Sequence, residues 1–526
     1  MPEYLSPGVY VQEVNSGTRP IEGVGTAMAA FVGFAPAGPA NTPTLVTNWS
    51  QYVDTFGSVD ENGRRNPHMP GAYLSHAVFG YFMNGGGRCY VDRVVATAPA
   101  ASRKGGTEAT KLPAAELASR APKTPPALAA APKATPAADI HVEVAPPTGE
   151  DAPEGTFTLK VRMNDVEETY ENVSLGRRGP KPVLEAVNTA SRLITLTELH
   201  TAGPLAERTP AAGSYTLRAP EKTAVAAPAV QSSHFVGDVA ERSGLEGLEV
   251  AEDVTMVSCP DLMAAYQQGL LDADGVKAVQ LAMIAHCERM GNRVAILDLP
   301  PGLTPQEAKR WREKDTNYDS KFAAAYYPWI KIDGPDSQPL VVPPSGHIAG
   351  VYARSDNERG VHKAPANEVL RGALGASTQI TKGEQDVLNP LGLNCIRSFT
   401  GRGLRVWGAR TLSSDPAWRY VNVRRLFNYV EASIERGTQW VVFEPNDADL
   451  WARVRRDVGA FLTGVWRDGA LFGSTPAEAF FVKCDAENNP LDVRDRGQLV
   501  IDVGLAPVKP AEFVVFRFSQ YTNNGA

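Results

Sequence analysis

The sequence predicts a multidomain α/β chain, mixed α+β in detail, and three observations predict it. Strand-length apolar runs alternate with amphipathic stretches of helix length through residues 25–97 and again through 240–392. A C-terminal block, residues 393–510, repeats that alternation and is long enough to bury its own core. Between the two halves of the first pattern, hairpin and turn signals mark a β-rich segment of the kind tolerated as a surface insertion. At 526 residues the chain exceeds what one core can organise, so about two to four domains are expected.

In chain order, Tyr10, Val11, Gln12, Glu13 and Val14 alternate as a strand does, but Pro and Gly on both sides leave them no neighbour in sequence. A lone strand exposes unpaired backbone groups, so this one needs a partner elsewhere in the chain or in another copy. Residues 27–34 read as a buried strand, 49–56 and 72–84 as helices, and 89–95 as a returning strand. From Ala98 to Ala138 the composition shifts. There 22 of 41 residues are Ala or Pro and none is aromatic, which reads as an extended linker without bulk to bury. Residues 140–144, 156–163 and 168–175 then alternate between Gly and Asn-Asp turns, forming the inserted β-rich module.

Past Gly244 the layered pattern resumes. Residues 254–259 and 293–299 are strands around a helix at 274–290, and Thr304 with Glu307 makes a capping box. In the last block, residues 401–412 read as a strand with Leu404 and Val406 on one face. Val423, Phe427, Val430 and Ile434 recur at helical spacing and Gly437 can end that helix. Residues 440–443 read as a short strand, Asp447 or Asp449 as the cap of a helix through Arg467, and 479–483, 498–503 and 512–518 as strands. The domains expected are an N-terminal strand arm and linker (1–24), a middle α/β domain (25–97 with 240–392), an Ala/Pro-rich linker (98–138), an inserted β-rich surface module (139–235), a C-terminal α/β core (393–510) and a C-terminal strand arm (511–526).

Composition removes several function classes. With 52 basic against 59 acidic residues the net charge is −7, so no basic field argues for nucleic acid. No basic-then-apolar leader and no apolar run of about 18 residues is present, so neither a Sec signal nor membrane insertion is expected. The five cysteines are scattered without ligand spacing and read as reduced core residues made in a cytoplasm. Ser345 and His347 in PPSGH suggest a nucleophile and base, but the nucleophile-elbow motif is missing. Asp298 ends an apolar strand, where α/β enzymes keep ligand residues; capping a turn before Pro300 is the plainer reading. His286 and Cys287 share a helix with Met283 and read as core packing rather than metal ligands. Without a P-loop or a dinucleotide fingerprint, no catalytic residue, cofactor or metal is assigned. Arg453, Arg455 and Arg456 form a basic patch, either a solvated helix face or a dock for an acidic partner.

What remains is assembly. The strand at residues 10–14 and a second at Phe513, Val514, Val515, Phe516 and Phe518 flank the chain like arms. A strand lent to the next copy's sheet gains main-chain hydrogen bonds, and contacts of that heterologous kind close into rings or run on as helical filaments.

Four stretches carry a resemblance: YLSPGVYVQEV at residues 4–14, VPPSGHIAGVYARSDNERGVHKAPANE at 342–368, RGLRVWGARTL at 402–412 and NVRRLFNYVEASIERGTQWVVFEPND at 422–447. Together they resemble the sheath proteins of contractile tails, found in phages, tailocins and extracellular contractile injection systems. The resemblance implies a C-terminal α/β domain near an inner tube, terminal arms that complete sheets in neighbouring subunits, and outer insertions. It implies a structural, non-enzymatic subunit of a six-fold helical sheath that shortens on triggering and drives the tube through a target envelope. Partners implied are further copies of the chain, an inner tube protein that Arg453, Arg455 and Arg456 would meet, and baseplate and terminator or cap proteins. Assembly would take place in a bacterial cytoplasm, with later release of the particle. The competing expectation is an α/β enzyme, a hydrolase or nucleotide-dependent transferase.

Overall fold

A computed structural model describes residues 20–60, 63–95, 115–121, 124–133, 139–149, 152–153, 155–163, 166–176, 181–201, 203–217, 230–334 and 338–517. The chain divides into two compact units, residues 1–97 with 229–526, and residues 98–228.

The larger unit is built on a nine-stranded sheet. Its strands in chain order are β1 (Ala29–Gly33), β2 (Thr44–Val46), β3 (Cys89–Arg93), β4 (Met256–Ser258), β5 (Val294–Asp298), β6 (Ala323–Tyr327), β7 (Glu368–Val369), β8 (Leu393–Phe399) and β9 (Gly403–Val406). Across the sheet they lie β7-β9-β8-β6-β5-β4-β1-β3-β2. The six central strands are parallel, and β2, β9 and β7 pair antiparallel at the two edges. Every residue of β1, β5 and β6 is buried, as helices on both faces require. Along β1, Ala29 and Phe31 enter one core and Ala30 and Val32 the other, by the two-residue period of a strand.

One face is covered by a helix at Ala273–Met290, started by Asp272, whose side chain accepts from the Gly275 N–H, and stopped at left-handed Gly291. The other face carries α1 (Leu74–Met83) and α2 (Ser345–Arg359). These two helices cross closely because glycines sit at the crossing. A Cβ on Gly346 would come within 2.3 Å of the Ala77 backbone, and one on Gly350 within 2.5 Å of the Tyr81 carbonyl oxygen.

A third core in the same unit belongs to the C-terminal part: α3 (Val421–Gly437), α4 (Ala448–Arg467) and a hairpin of Phe480–Lys483 with Asp502–Leu505. Leu426, Val430, Leu450, Val454, Val458 and Leu462 fill it. Asp447 caps α4, its side chain accepting from the Leu450 N–H at 2.9 Å.

Residues 98–228 have their own core and two antiparallel sheets. One orders Val166–Ser174, Thr156–Met163, Ile140–Ala145 and Gly213–Leu217, and includes the hairpin expected from TLKVRMNDVEETYENV. The other orders Ile194–Glu198, Leu128–Pro132 and Ala115–Leu117.

The structure corrects several expectations. The Ala/Pro-rich stretch is not all linker, since residues 115–117 and 128–132 are strands and bury Leu117, Leu128 and Ala130. Small side chains suffice there because ladder hydrogen bonds to Ile194–Glu198 complete the backbone. The module ends before residue 232, for Ser232–Val236 is a helix whose Phe235 lies in the main core. A boundary at residue 393 would cut the sheet between β6 and β8, so the separate C-terminal core starts at α3. The strand expected at 401–412 ends at Val406, where the Asn394 side chain replaces the ladder by binding the Arg410 N–H and carbonyl. Residues 439–441 form a 3-10 turn rather than a strand, and the strand expected at 498–503 lies at Asp502–Leu505.

Candidate assembly interface

The residues that resembled an active site are brought together and closed. Asp298 ends β5, Ser345 begins α2, and the Asp298 carboxylate accepts from the Ser345 N–H (3.0 Å) and hydroxyl (2.5 Å). Burial pushes that carboxyl up to about 7, against those two hydrogen bonds. Asp298 therefore caps a helix rather than a turn. His347, 2% exposed, packs on Gly80 of α1, and burial and the neighbouring His76 hold its imidazole down to about 4. Asp261 does for α1 what Asp298 does for α2, accepting from the N–H groups of Phe34 (2.6 Å), Tyr73 and Leu74 (3.2 Å). His286 meets Arg293, whose guanidinium donates to the carbonyls of Leu248 and Ala251, and Cys287 is core. Among the described residues no group of three His, Cys, Asp or Glu side chains could hold a metal, and no helix is long and apolar enough to cross a membrane.

The terminal segments present a different chemistry. Phe513, Val514, Val515 and Phe516 are 70–76% exposed and lie in no strand. Immediately before them the Glu512 carboxylate accepts from Arg410 (Nε 2.9 Å, Nη2 2.7 Å), Asn389 (2.7 Å) and the Tyr420 hydroxyl (2.9 Å). Partial burial opposes its charge, but those donors outweigh it and lower its pKa. Tyr420 is the N-cap residue of α3. At the other end of the chain, residues 21–26 run along α3 in the opposite direction. Ile21 abuts Gly437, the Val24 N–H donates to Ser433 Oγ (3.1 Å), and the Thr26 carbonyl accepts from Arg425 (2.9 Å). Tyr10, Val11, Gln12, Glu13, Val14 and Phe518 lie outside the described residues.

The phage tail sheath protein central domain family matches residues 260–412, and the phage tail sheath C-terminal domain family matches 413–520 directly after it. A tail sheath protein of Burkholderia phage BcepMu is 27% identical over 531 aligned positions, covering 97% of this chain and 95% of its own. The chain belongs to the contractile tail sheath family. A tail sheath protein of Vibrio phage KVP40 is 29% identical over 181 residues, 34% of this sheath chain and 26% of its own length. Among solved structures, the helical sheath of the anti-feeding prophage in its contracted state is 26% identical with a TM-score of 0.57, covering 98% of this chain and all of the other. A chain in the six-fold symmetrised baseplate of the same particle matches at 26% identity and a TM-score of 0.57, covering 99% and 100%.

In this sheath chain the three arginines on α4 have different surroundings. Arg453 is exposed with its guanidinium 5.7 Å from the Trp440 ring, and Arg456 is exposed beside Asp457 at 3.1 Å. Arg455 is half-buried and donates to the Cys484 carbonyl, which ties α4 to the hairpin. Sequence reading missed the contacts that fix the sheath's C-terminal part to its sheet. Arg425 on α3 and Asp356 on α2 form a buried bidentate ion pair (2.8 and 2.6 Å), and Tyr352 of α2 shares a hydrogen bond with Tyr326 of β6 (2.6 Å). One signal was available: Arg425 stands one turn after Val421, on the stripe that a helix buries.

Proposed function

We propose that this chain is the structural subunit of a contractile sheath. Copies polymerise as a helical, six-fold sheath around an inner tube, and the sheath shortens to drive the tube through a target envelope. The observation that carries the reading is the exposed apolar run Phe513–Phe516, which follows in sequence a hairpin sheet of two strands among the described residues. Two strands alone are marginal, and the outer edges of Phe480–Lys483 and Asp502–Leu505, which no further strand covers among the described residues, offer main-chain groups to an added strand. Phe481, 58% exposed over Gly504, offers apolar surface on the outer face. An arm from one copy on the hairpin of another is a heterologous contact, which propagates. Rigid bodies joined by such arms can repack at their interfaces while the connections hold, and two packings of one subunit suffice for a contractile change. The names of the similar structures, a contracted helical sheath and a six-fold baseplate, support this geometry.

The partners follow from it: further copies of this chain, an inner tube protein, and baseplate and terminator proteins, in a particle assembled in a bacterial cytoplasm and released. No catalysis is assigned, because Asp298 and Ser345 satisfy each other in the interior. Removal of residues 1–20 leaves Ile21 and its contacts in place, so the expected result is a folded monomer that forms no tubes. Tubes in negative-stain electron microscopy would reject the role of the N-terminal arm. Arg453 and Arg456 are the tube contact in this reading, since Arg455 is engaged within the subunit. Charge reversal at both is expected to abolish co-sedimentation with the tube protein while sheath tubes still form, and unchanged co-sedimentation would reject the contact.

A further inference from the structure

Both terminal segments are fastened to one helix, at its opposite ends. Glu512 is held by Tyr420, Arg410 and Asn389 at the N-terminal end of α3. Ile21 packs on Gly437 at its C-terminal end. The helix has 17 residues, and at 1.5 Å per residue the two fastening points stand about 25 Å apart along its axis. Arg425, one turn into the helix, holds α3 through Asp356 of α2, so the helix is fixed with respect to the body as well.

We propose that α3 is the gauge of the sheath lattice: it sets the separation of the two points from which the arms leave the subunit, with Glu512 and Ile21 as positioning residues. This rests on the arm reading of the proposed function. The physical consequence lies in reach. Upstream of Glu512 the chain is next held at Val508, whose N–H donates to the Ala470 carbonyl (3.2 Å) and whose carbonyl accepts from Asn422 (3.3 Å). Release of Glu512 therefore adds residues 509–512 to the arm, about 13 Å of extra reach. A longer, looser tether lowers the effective concentration of the arm at its acceptor and blurs the spacing it imposes.

The test uses the full chain with Glu512→Ala, with Asn389→Asp, which sets a second carboxylate against Glu512, and with Ile21→Ala at the other end. Thermal melts report folding, pelleting reports assembly, and cryo-electron microscopy reports the axial repeat of the tubes. The expected result is monomers that melt close to wild type, with pelletable polymer reduced about tenfold or tubes that have lost one regular repeat. A merely structural role would move the melt and leave the repeat alone. If Glu512→Ala melts early, Asn389→Asp and Ile21→Ala decide. Variants that give wild-type yield and wild-type repeat overturn the gauge. A fourth chain, Val514→Asp with Val515→Asp, spoils the borrowed strand while keeping Glu512. If that chain assembles normally, the arm reading itself falls; if it fails while the other variants assemble normally, only the gauge falls.

Discussion

At the residue scale the structure turns on buried polar groups that hold helix ends and on histidines kept neutral. His347 and His76 lie between α1 and α2, and burial holds both imidazoles down to about 4 against an ordinary 6.5. As pH falls below 6.5, the unfolded chain takes up protons that the native chain refuses until about 4, so stability is lost across that window. For His347 the loss approaches about 3 kcal/mol at its lower end. The expected outcome is a urea midpoint of His347→Asn that gains on the wild-type midpoint as pH falls from 7 to 4.5, whatever that variant's stability at pH 7 and whatever buried carboxyls such as Asp298, raised to about 7, add to both proteins. Parallel curves for the two proteins would show that His347 does not titrate the fold. The capping role of Asp298 was half legible, because an Asp at the end of an apolar strand must find donors, though which donors could not be read. Glu512 was illegible, since Asn389, Arg410 and Tyr420 are far from it in sequence and nothing local marks them as its partners.

At the scale of elements, the parallel core was readable because fully apolar runs such as Val294–Asp298 and capped stretches such as Thr304 with Glu307 state their own structure. The misreadings came where tertiary contacts decide. Leu128–Pro132 is a strand because Ile194–Glu198 and Ala115–Leu117 pair with it on either side, and residues 439–441 turn despite β-prone side chains. The crossing of α1 and α2 gives a sharp test. Gly350→Val places side-chain atoms where the Tyr81 carbonyl already stands at 2.5 Å from a modest Cβ, and forcing the helices apart should cost about 3 kcal/mol or more. A lower melting temperature and poor soluble yield are expected, whereas Val at Gly375, in the strand Ala373–Ala376, where no atom crowds a Cβ, leaves both nearly unchanged.

At the scale of the molecule, the two compact units have separate cores, so residues 98–228 should be dispensable to the fold of the rest. Replacement of that unit by a short Gly/Ser bridge is expected to give a soluble chain with the melting transition of the larger unit, and insoluble product would mean that the unit is needed for folding. The insertion was legible because its alternation and turn residues differ from the layered pattern around it; its inner edge was not, because alanine strands look like linker. The position of the insertion also sets the order in which the chain can be made. β1 lies inside the sheet, third from one edge, between β3 and β4, and residues 94–255 are synthesised between those two neighbours. At ribosomal speed β1 thus waits on the order of ten seconds with one edge bare. Translation rate and chaperone supply, rather than the stability of the finished subunit, should govern how much of this protein a producing cell recovers in soluble form.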